Sequence, residues 1–394
     1  MKSLAFNQLL QVINYDNFQK IVKKYKGDKN VKRFKCWHLF KTHLFCNFSK
    51  CTSLRQLVSI LRSSGNRLYH SGISSISRNN LSHANMKRDW RIFRDLFFDL
   101  KIKFENETVF KKNKKFKFHK KLKSVDATVI PLCLNLYSWA KFRSSKAGIK
   151  LHVIHDNESK NPEDVIITNA NKHDSRVVPD FKIESGSIYI LDRAYCGAKT
   201  LYSLVKRDSF FVTRLKKNLK YKIIKRNKVS DFLKKKGVKT DWTIRFTREK
   251  YYEYTEHLRL IRYKDPVSGK SFEFLTNLFD LSAYTIAKIY KERWQVEIFF
   301  KLIKQNLKIE SMIGRNENSV SLQVWISLIS YLILNWHKYK SKFKRGFCHL
   351  VEIIRQNLFK EKSLHSILNF EEYFKKRNAD NLRRKQIYLF EIIY

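Results

Sequence analysis

Tyr290-Lys-Glu-Arg-Trp-Gln-Val-Glu-Ile-Phe-Phe-Lys-Leu-Ile-Lys304 reads as a helix whose functional-looking side chains share one side. At about 100° per residue, Tyr290, Arg293, Glu297 and Lys304 fall at about 0°, −60°, −20° and −40°. One carboxylate is thereby set among two cations and a phenol. Val296, Ile298, Phe299, Leu302 and Ile303 turn elsewhere, toward a core. A surface helix with an ordinary Arg293–Glu297 ion pair at i,i+4 spacing also produces part of this pattern. The flanking sequence has to decide between the two.

Upstream, the apolar period changes from helix to strand. Residues 124–134, 149–155, 164–168 and 187–191 are apolar or alternating runs, separated by Asn, Asp, Gly and Pro clusters. A helix is expected at 198–206. A second strand-rich region covers 211–277: residues 241–247 alternate strictly, and strands at 258–263 and 272–275 flank a turn at Pro266-Val-Ser-Gly-Lys270. Ser282 then caps the helix that runs into the opening stretch. The reading is a mixed α/β fold.

The first hundred residues are helical instead. Residues 36–48 are apolar enough for burial, and Leu54, Leu57, Val58 and Leu61 keep helical spacing behind a Thr52/Ser53 cap. Ser77 caps a further helix bearing Arg78, Asn79, Asn80, His83, Lys87 and Arg88. These residue types suit phosphates and base edges, and equally a solvated face. A basic connector follows at 111–123, able to track a DNA backbone. The apolar run 324–336 is too short to span a bilayer and reads as a buried helix.

The 394 residues carry 81 Lys plus Arg against 35 Asp plus Glu, a net charge of +46. That excess repels itself unless a polyanion is the partner, and nucleic acid is the simplest one. The cations are spread along the chain, which disfavours a membrane-surface role. An abundance of Lys, Asn, Ile, Phe and Tyr is also what an AT-rich genome produces, so charge alone does not establish DNA binding. The N-terminus lacks an apolar leader, and the six cysteines include no Cys-x-x-Cys, as expected of reduced thiols in a cytoplasmic, nucleoid-associated protein.

Two acids stand out among the strands: Asp126 in Ser-Val-Asp-Ala-Thr, and Asp192 at the end of Ser-Ile-Tyr-Ile-Leu-Asp-Arg. Beside apolar strands an unpaired charge costs several kcal/mol, so a cation is required. Either acid alone has an ordinary explanation, as a turn cap or, for Asp192, as the partner of Arg193. Together with Glu297 they make a hard-oxygen set suited to Mg²⁺ or Mn²⁺. Two ions about 4 Å apart are the usual arrangement for in-line phosphoryl transfer. Arg293 and Lys304 are then expected to hold phosphates, and Tyr290 to bond a phosphate or stack on a base. His173 and Asp174 are expected to be structural, and Trp242, Trp294 and Trp325 to be buried core.

At these residues the chain resembles bacterial insertion-sequence transposases of the DDE class, specifically the insertion-sequence-four family with its Tyr-x2-Arg-x3-Glu-x6-Lys signature. Tyr290, Arg293, Glu297 and Lys304 match that spacing without a gap. Asp126 in Val-Asp-Ala-Thr is similar to the family's first aspartate. Asp192 in Asp-Arg-Ala-Tyr is similar to its second, with Ala194 where the pattern has Gly.

The resemblance implies an RNase H-like catalytic core interrupted by a β-rich insertion, preceded by an all-helical N-terminal domain and followed by C-terminal helices. The expected division is a DNA-binding region at 1–110, a connector at 111–123, a catalytic domain at 124–210 and 278–345, an insertion at 211–277 and a C-terminal region at 346–394. It also implies a homodimer that synapses element ends and cuts and rejoins double-stranded DNA. A catalytically inactive relative that only occupies element ends is the alternative.

Overall fold

The computed structural model describes residues 3–65, 67–107, 115–216, 219–247, 254, 256–307 and 309–369. Parts of the expected connector (111–114), insertion (217–218, 248–253 and 255) and C-terminal region (370–394) lie outside the described residues. The chain divides into two units, Phe110–Lys301 and Met1–Val109 with Leu302–Tyr394.

The first unit is built on one sheet. Its strands are β1 (Leu122–Leu132), β2 (Lys141–Arg143), β3 (Lys146–Asp156), β4 (Pro162–Asn169), β5 (Ile188–Leu191), β6 (Phe210–Arg214), β7 (Tyr221–Arg226), β8 (Val238–Phe246), β9 (Leu258–Lys264) and β10 (Ser271–Thr276). They lie in the order β2-β3-β1-β5-β6-β10-β9-β8-β7, with β4 also on β3. β1, β5 and β6 run parallel, and the remaining pairs are antiparallel. All four residues of β5 are buried, as a central parallel strand covered on both faces requires.

Side chains alternate across this sheet and sort two cores. On one face Ile188, Ile190, Val212 and Ile261 pack with Ile286, Ala287 and Ile289 of the helix Ala283–Lys291. On the other, Val125, Tyr189, Leu191 and Phe211 pack with Leu201 and Leu204 of the helix Ala198–Val205.

The strands expected as an inserted region do not form a separate sheet. β10 takes β6 as its neighbour, from Phe274↔Arg214 to Thr276↔Val212, so β10, β9, β8 and β7 extend the sheet that carries β1 and β5. A buried ion pair fastens this extension. Arg259 donates through Nε (2.9 Å) and Nη2 (2.6 Å) to the Asp241 carboxylate, and through Nη1 to the carbonyls of Leu278 and Leu281. The strands are thereby tied to the segment leading into the Ser282-capped helix, where the Ser282 hydroxyl accepts from Thr285 N–H.

The single helix expected over Tyr290–Lys304 is two. One ends at Lys291 and the next begins at Trp294. Between them the N–H groups of Glu292, Arg293, Gln295 and Val296 each donate to the carbonyl three residues back, the tighter 3₁₀ pattern. The break is held from outside the helices, since Ser124 Oγ (3.3 Å) and Asn157 Nδ2 (3.1 Å) both donate to the Glu292 carbonyl. Lys115 pairs with the buried Glu292 carboxylate.

In the second unit, the helix Glu317–Lys340 is surrounded by Arg91–Asn106, Cys36–Ser49 and Arg78–Lys87. It therefore sits with the N-terminal helices, not with the strands that the expected catalytic range grouped it with. Trp325 lies against Phe97 at a ring separation of 5.4 Å, and Asn47 Nδ2 donates to Ser330 Oγ (2.9 Å). Ser330 within this helix is satisfied internally, its Oγ donating to the Ile326 carbonyl. The helix is long and apolar enough to cross a membrane by length and composition, but its apolar stretch is 94% buried inside the protein, as a core helix is.

Candidate active site

Parallel pairing of β1 with β5 brings the two strand acids together. The register runs Leu122↔Ile188 to Val125↔Leu191, so Asp126 and Asp192 are the next positions on adjacent strands about 4.8 Å apart. By alternation each shares a face with Leu122, Ile188 and Ile190, the face covered by the helix Ala283–Lys291. The pinned break after that helix delivers Arg293 and Glu297 to the same place. Arg293 Nη1 donates to Asp126 Oδ2 (3.0 Å), and Nη2 pairs with Glu297 Oε1.

The ordinary explanations for Asp192 fail among the described residues. It stands at the start of the 3₁₀ turn Arg193–Tyr195, yet its side chain caps nothing there, and it makes no ion pair with Arg193. Its main chain is used instead, its carbonyl accepting from Tyr195 N–H (3.0 Å) and Thr213 Oγ1 (3.3 Å).

The electrostatics are those of a crowded anionic site. Burial pushes the Asp126 carboxyl up to about 6 against the bond from Ala127 N–H and the Arg293 charge, with Asp192 and Glu297 adding like-charge repulsion. Arg293 stays protonated despite burial, being held up by Tyr290, Glu297 and Asp126. Among the described residues no three acidic, His or Cys side chains stand close enough to hold an ion as they lie. The Arg293 guanidinium lies between Asp126 and Glu297.

Tyr290 lies beside Arg293 and Asp192. It is buried with its ring 4.9 Å from that of Phe274, and its hydroxyl has no hydrogen-bond partner among the described residues. Burial raises its pKa, with Arg293, Asp192 and Arg214 as charged neighbours. Tyr290 belongs to the helix that ends at Lys291 and Glu297 to the next. Lys304 lies two turns beyond Glu297 and pairs with Glu310 (3.3 Å). Ile298 and Trp294 face solvent, at 38% and 60% exposure, where core positions were expected; Trp325 is buried and Trp242 half-buried beneath Arg262.

In the helical unit, Ser77 caps Arg78–Lys87 by accepting from Asn80 N–H. Arg78, Asn79, Asn80, His83 and Lys87 are exposed on it. Arg88 is drawn inward, donating through Nη2 to the Phe34 carbonyl (3.1 Å), so it is spent on structure. His173 caps a 3₁₀ turn, and Asp174 pairs with Lys150 (3.0 Å).

Sequence reasoning overlooked Arg214, which ends the apolar run Phe210-Phe-Val-Thr-Arg214 much as Asp192 ends β5. It also overlooked Ser124 and Asn157, whose role in anchoring a carbonyl leaves no mark in sequence.

Comparison with known proteins identifies the family. The family profile described as Transposase DDE domain matches residues 117–333, more than half of the chain, and that of a domain of unknown function matches residues 1–74. A Sinorhizobium fredii protein named as a transposase is 30% identical, over 73% of this chain and 79% of its own. A Geobacillus stearothermophilus protein named as the transposase of insertion sequence element IS5377 is 33% identical, over 56% of this chain and 57% of its own. Among solved structures, the piggyBac transposase synaptic complex with hairpin DNA is similar at a TM-score of 0.48 and 13% identity, covering 96% of this chain and 82% of that one. The acids that the strands bring together lie inside the matched region, and this chain belongs to the DDE transposase family.

Proposed function

We propose that this transposase acts at Asp126, Asp192 and Glu297, cutting double-stranded DNA at the ends of its element and joining the freed ends to target DNA. The observation that carries the assignment is the meeting of three acidic positions: Asp126 and Asp192 follow the last paired residues of adjacent parallel strands, and Glu297 is joined to Asp126 through Arg293. The strand order and directions of β4-β3-β1-β5-β6, with acids on adjacent central strands, support an RNase H-like core.

The donor set fits Mg²⁺ or Mn²⁺. A carboxyl raised by burial and by two like charges calls for a cation, and hard oxygens suit these ions. Asp126, Asp192 and Glu297 would hold two ions, which supply Lewis-acid activation of the attacking oxygen and of the scissile phosphodiester. With its carboxylates shared by cations, Arg293 would be available to hold a DNA phosphate as a positioning group. Lys304 adds a phosphate contact further along its helix.

Arg78, Asn79, Asn80, His83 and Lys87 read the element end, and their shared exposure on one capped helix supports that role. The working form is a homodimer, in keeping with the joining of two ends, acting on DNA at the cytoplasmic nucleoid. The test is a joining assay on duplexes carrying the end sequences of the element, with Mg²⁺ and a target plasmid. Joined product is expected. Cleavage without joining would make the chain a nuclease, and binding without either would make it an occupant of ends.

A further inference from the structure

Two of the free thiols meet in the helical unit. Cys46 and Cys51 are 4% and 2% exposed, and their side chains share a hydrogen bond. The backbone fixes this meeting. The helix Cys36–Ser49 is followed by Lys50 in the left-handed conformation, at φ 54° and ψ 36°. Lys50 N–H donates to the Asn47 carbonyl (3.4 Å), and Cys51 N–H donates to the Cys46 carbonyl (3.1 Å). These two bonds form a Schellman closure, which packs the side chain after the left-handed residue against the one five positions earlier. Here both of those positions are cysteine.

Cys51 is also held from its other side. Ser53 caps the helix Leu54–Ser63 by accepting from Gln56 N–H (3.1 Å), and Gln56 Oε1 accepts from Thr52 N–H (2.8 Å). The backbone bond between the two cysteines sets their Cα atoms about 5–6 Å apart, within the span of about 4.4–6.8 Å that a disulfide bridges. Rotation about side-chain bonds is therefore enough to join the sulfurs. The two thiols are unlike. The hydrogen bond with Cys51, followed by burial, holds the Cys46 thiol well above its usual range. The same bond lowers Cys51 against its burial. Cys51 is the nucleophile of the pair, because the thiolate is the reactive form.

We infer that Cys46 and Cys51 form a reversible redox site, which a peroxide closes to an intramolecular disulfide. The Cys51 thiolate attacks one peroxide oxygen and becomes a sulfenic acid. The hydroxide released takes up the proton that Cys51 gave up and leaves as water. The Cys46 sulfur then attacks the Cys51 sulfur, and the Cys46 proton leaves with the sulfenic hydroxyl as a second water. Two thiols are oxidised to one disulfide and one peroxide is reduced. The closed form ties the end of one helix to the start of the next and keeps both sulfurs from irreversible oxyacids. It needs neither metal nor DNA, so it stands apart from the proposed active site.

The test uses the folded full-length protein. Trypsin cuts after Lys41, Lys50 and Arg55, so the two cysteines fall in separate peptides, 42–50 and 51–55. The protein is treated with hydrogen peroxide, quenched with catalase, alkylated in denaturant and digested without reductant. The two peptides are expected joined and lighter than their sum by two hydrogens, and separate and alkylated when dithiothreitol precedes the alkylation. Cys46→Ser is expected to stop at the Cys51 sulfenic acid, captured by dimedone, whereas Cys51→Ser leaves Cys46 a thiol. The joined form should melt at a higher temperature than the reduced form, with dithiothreitol reversing the rise.

Recovery of both peptides apart and alkylated after peroxide overturns the inference. So does a Cys51 sulfinic acid beside an unreacted Cys46, or either peptide joined to one that carries another cysteine. Joined peptides in a protein that melts lower would show that the bond forms only by displacing the backbone, and would overturn it as well.

Discussion

At the residue scale the site is held together by one guanidinium. Arg293 is 17% exposed and bonds both Asp126 and Glu297, so it compensates charge in the resting protein before it meets DNA. Arg293→Ala is therefore expected to lower the melting temperature in metal-free buffer, and the loss should shrink when Mg²⁺ is added. An ion at 100 times its Kd restores about 2.7 kcal/mol. A melting loss unaffected by Mg²⁺ would show that the carboxylates do not share a cation. The raised Asp126 carboxyl makes a second prediction. A carboxyl whose folded pKa lies above its unfolded value favours the fold while protonated. That stability is fully present below about pH 4 and is lost as pH rises through about 6. The shift amounts to about 3 kcal/mol. Wild-type stability without metal should fall across this window, Asp126→Asn should show a flatter profile, and Mg²⁺ should oppose the wild-type fall. Urea melts at pH 4, 5, 6 and 7 check all three.

At the scale of elements, the sheet extension is fastened by a single buried pair. Asp241 and Arg259 are 8% and 9% exposed, and removing one partner leaves a buried charge without compensation. Asp241→Ala is expected to cost about 3–5 kcal/mol, as breaking buried pairs does. Denaturant unfolding measures it, and a loss under 1 kcal/mol would reject the fastening role. Much of this level was legible in sequence. Alternation located β8, and the Ser77 and Ser282 caps marked where their helices start, because each is a local signal. The acids were legible for a related reason, since a charge at the end of an apolar strand is conspicuous. The break at Glu292–Arg293 was not legible. It depends on Ser124 and Asn157 donating to the Glu292 carbonyl from more than a hundred residues away, which no periodicity encodes. The continuation of β6 into β10 was equally hidden, because strand pairing is a property of register between distant segments.

At the scale of the whole molecule, the N-terminal helices cannot be treated as a detachable reader. They share a unit with residues beyond Leu302, and Glu317–Lys340 runs through its core. End recognition is therefore tested in the full chain. Asn79→Ala with His83→Ala should remove the preference for element ends over random duplex in competition gel shifts, while salt-sensitive binding of the strongly basic chain persists. Unchanged preference would move recognition to another surface. The central claim is that Asp126, Asp192 and Glu297 work as one cation-dependent site, and Asp192 isolates it best because its side chain makes no bond among the described residues on which the fold depends. The decisive measurement is single-turnover cleavage of an element-end duplex in Mg²⁺ by Asp192→Asn, with the melting temperature taken on the same preparation. The account predicts an unaltered metal-free melting temperature, intact end binding and a cleavage rate at least about a thousandfold down, in line with the several kcal/mol a metal site contributes to the transition state. Cleavage at the wild-type rate by this variant would contradict it.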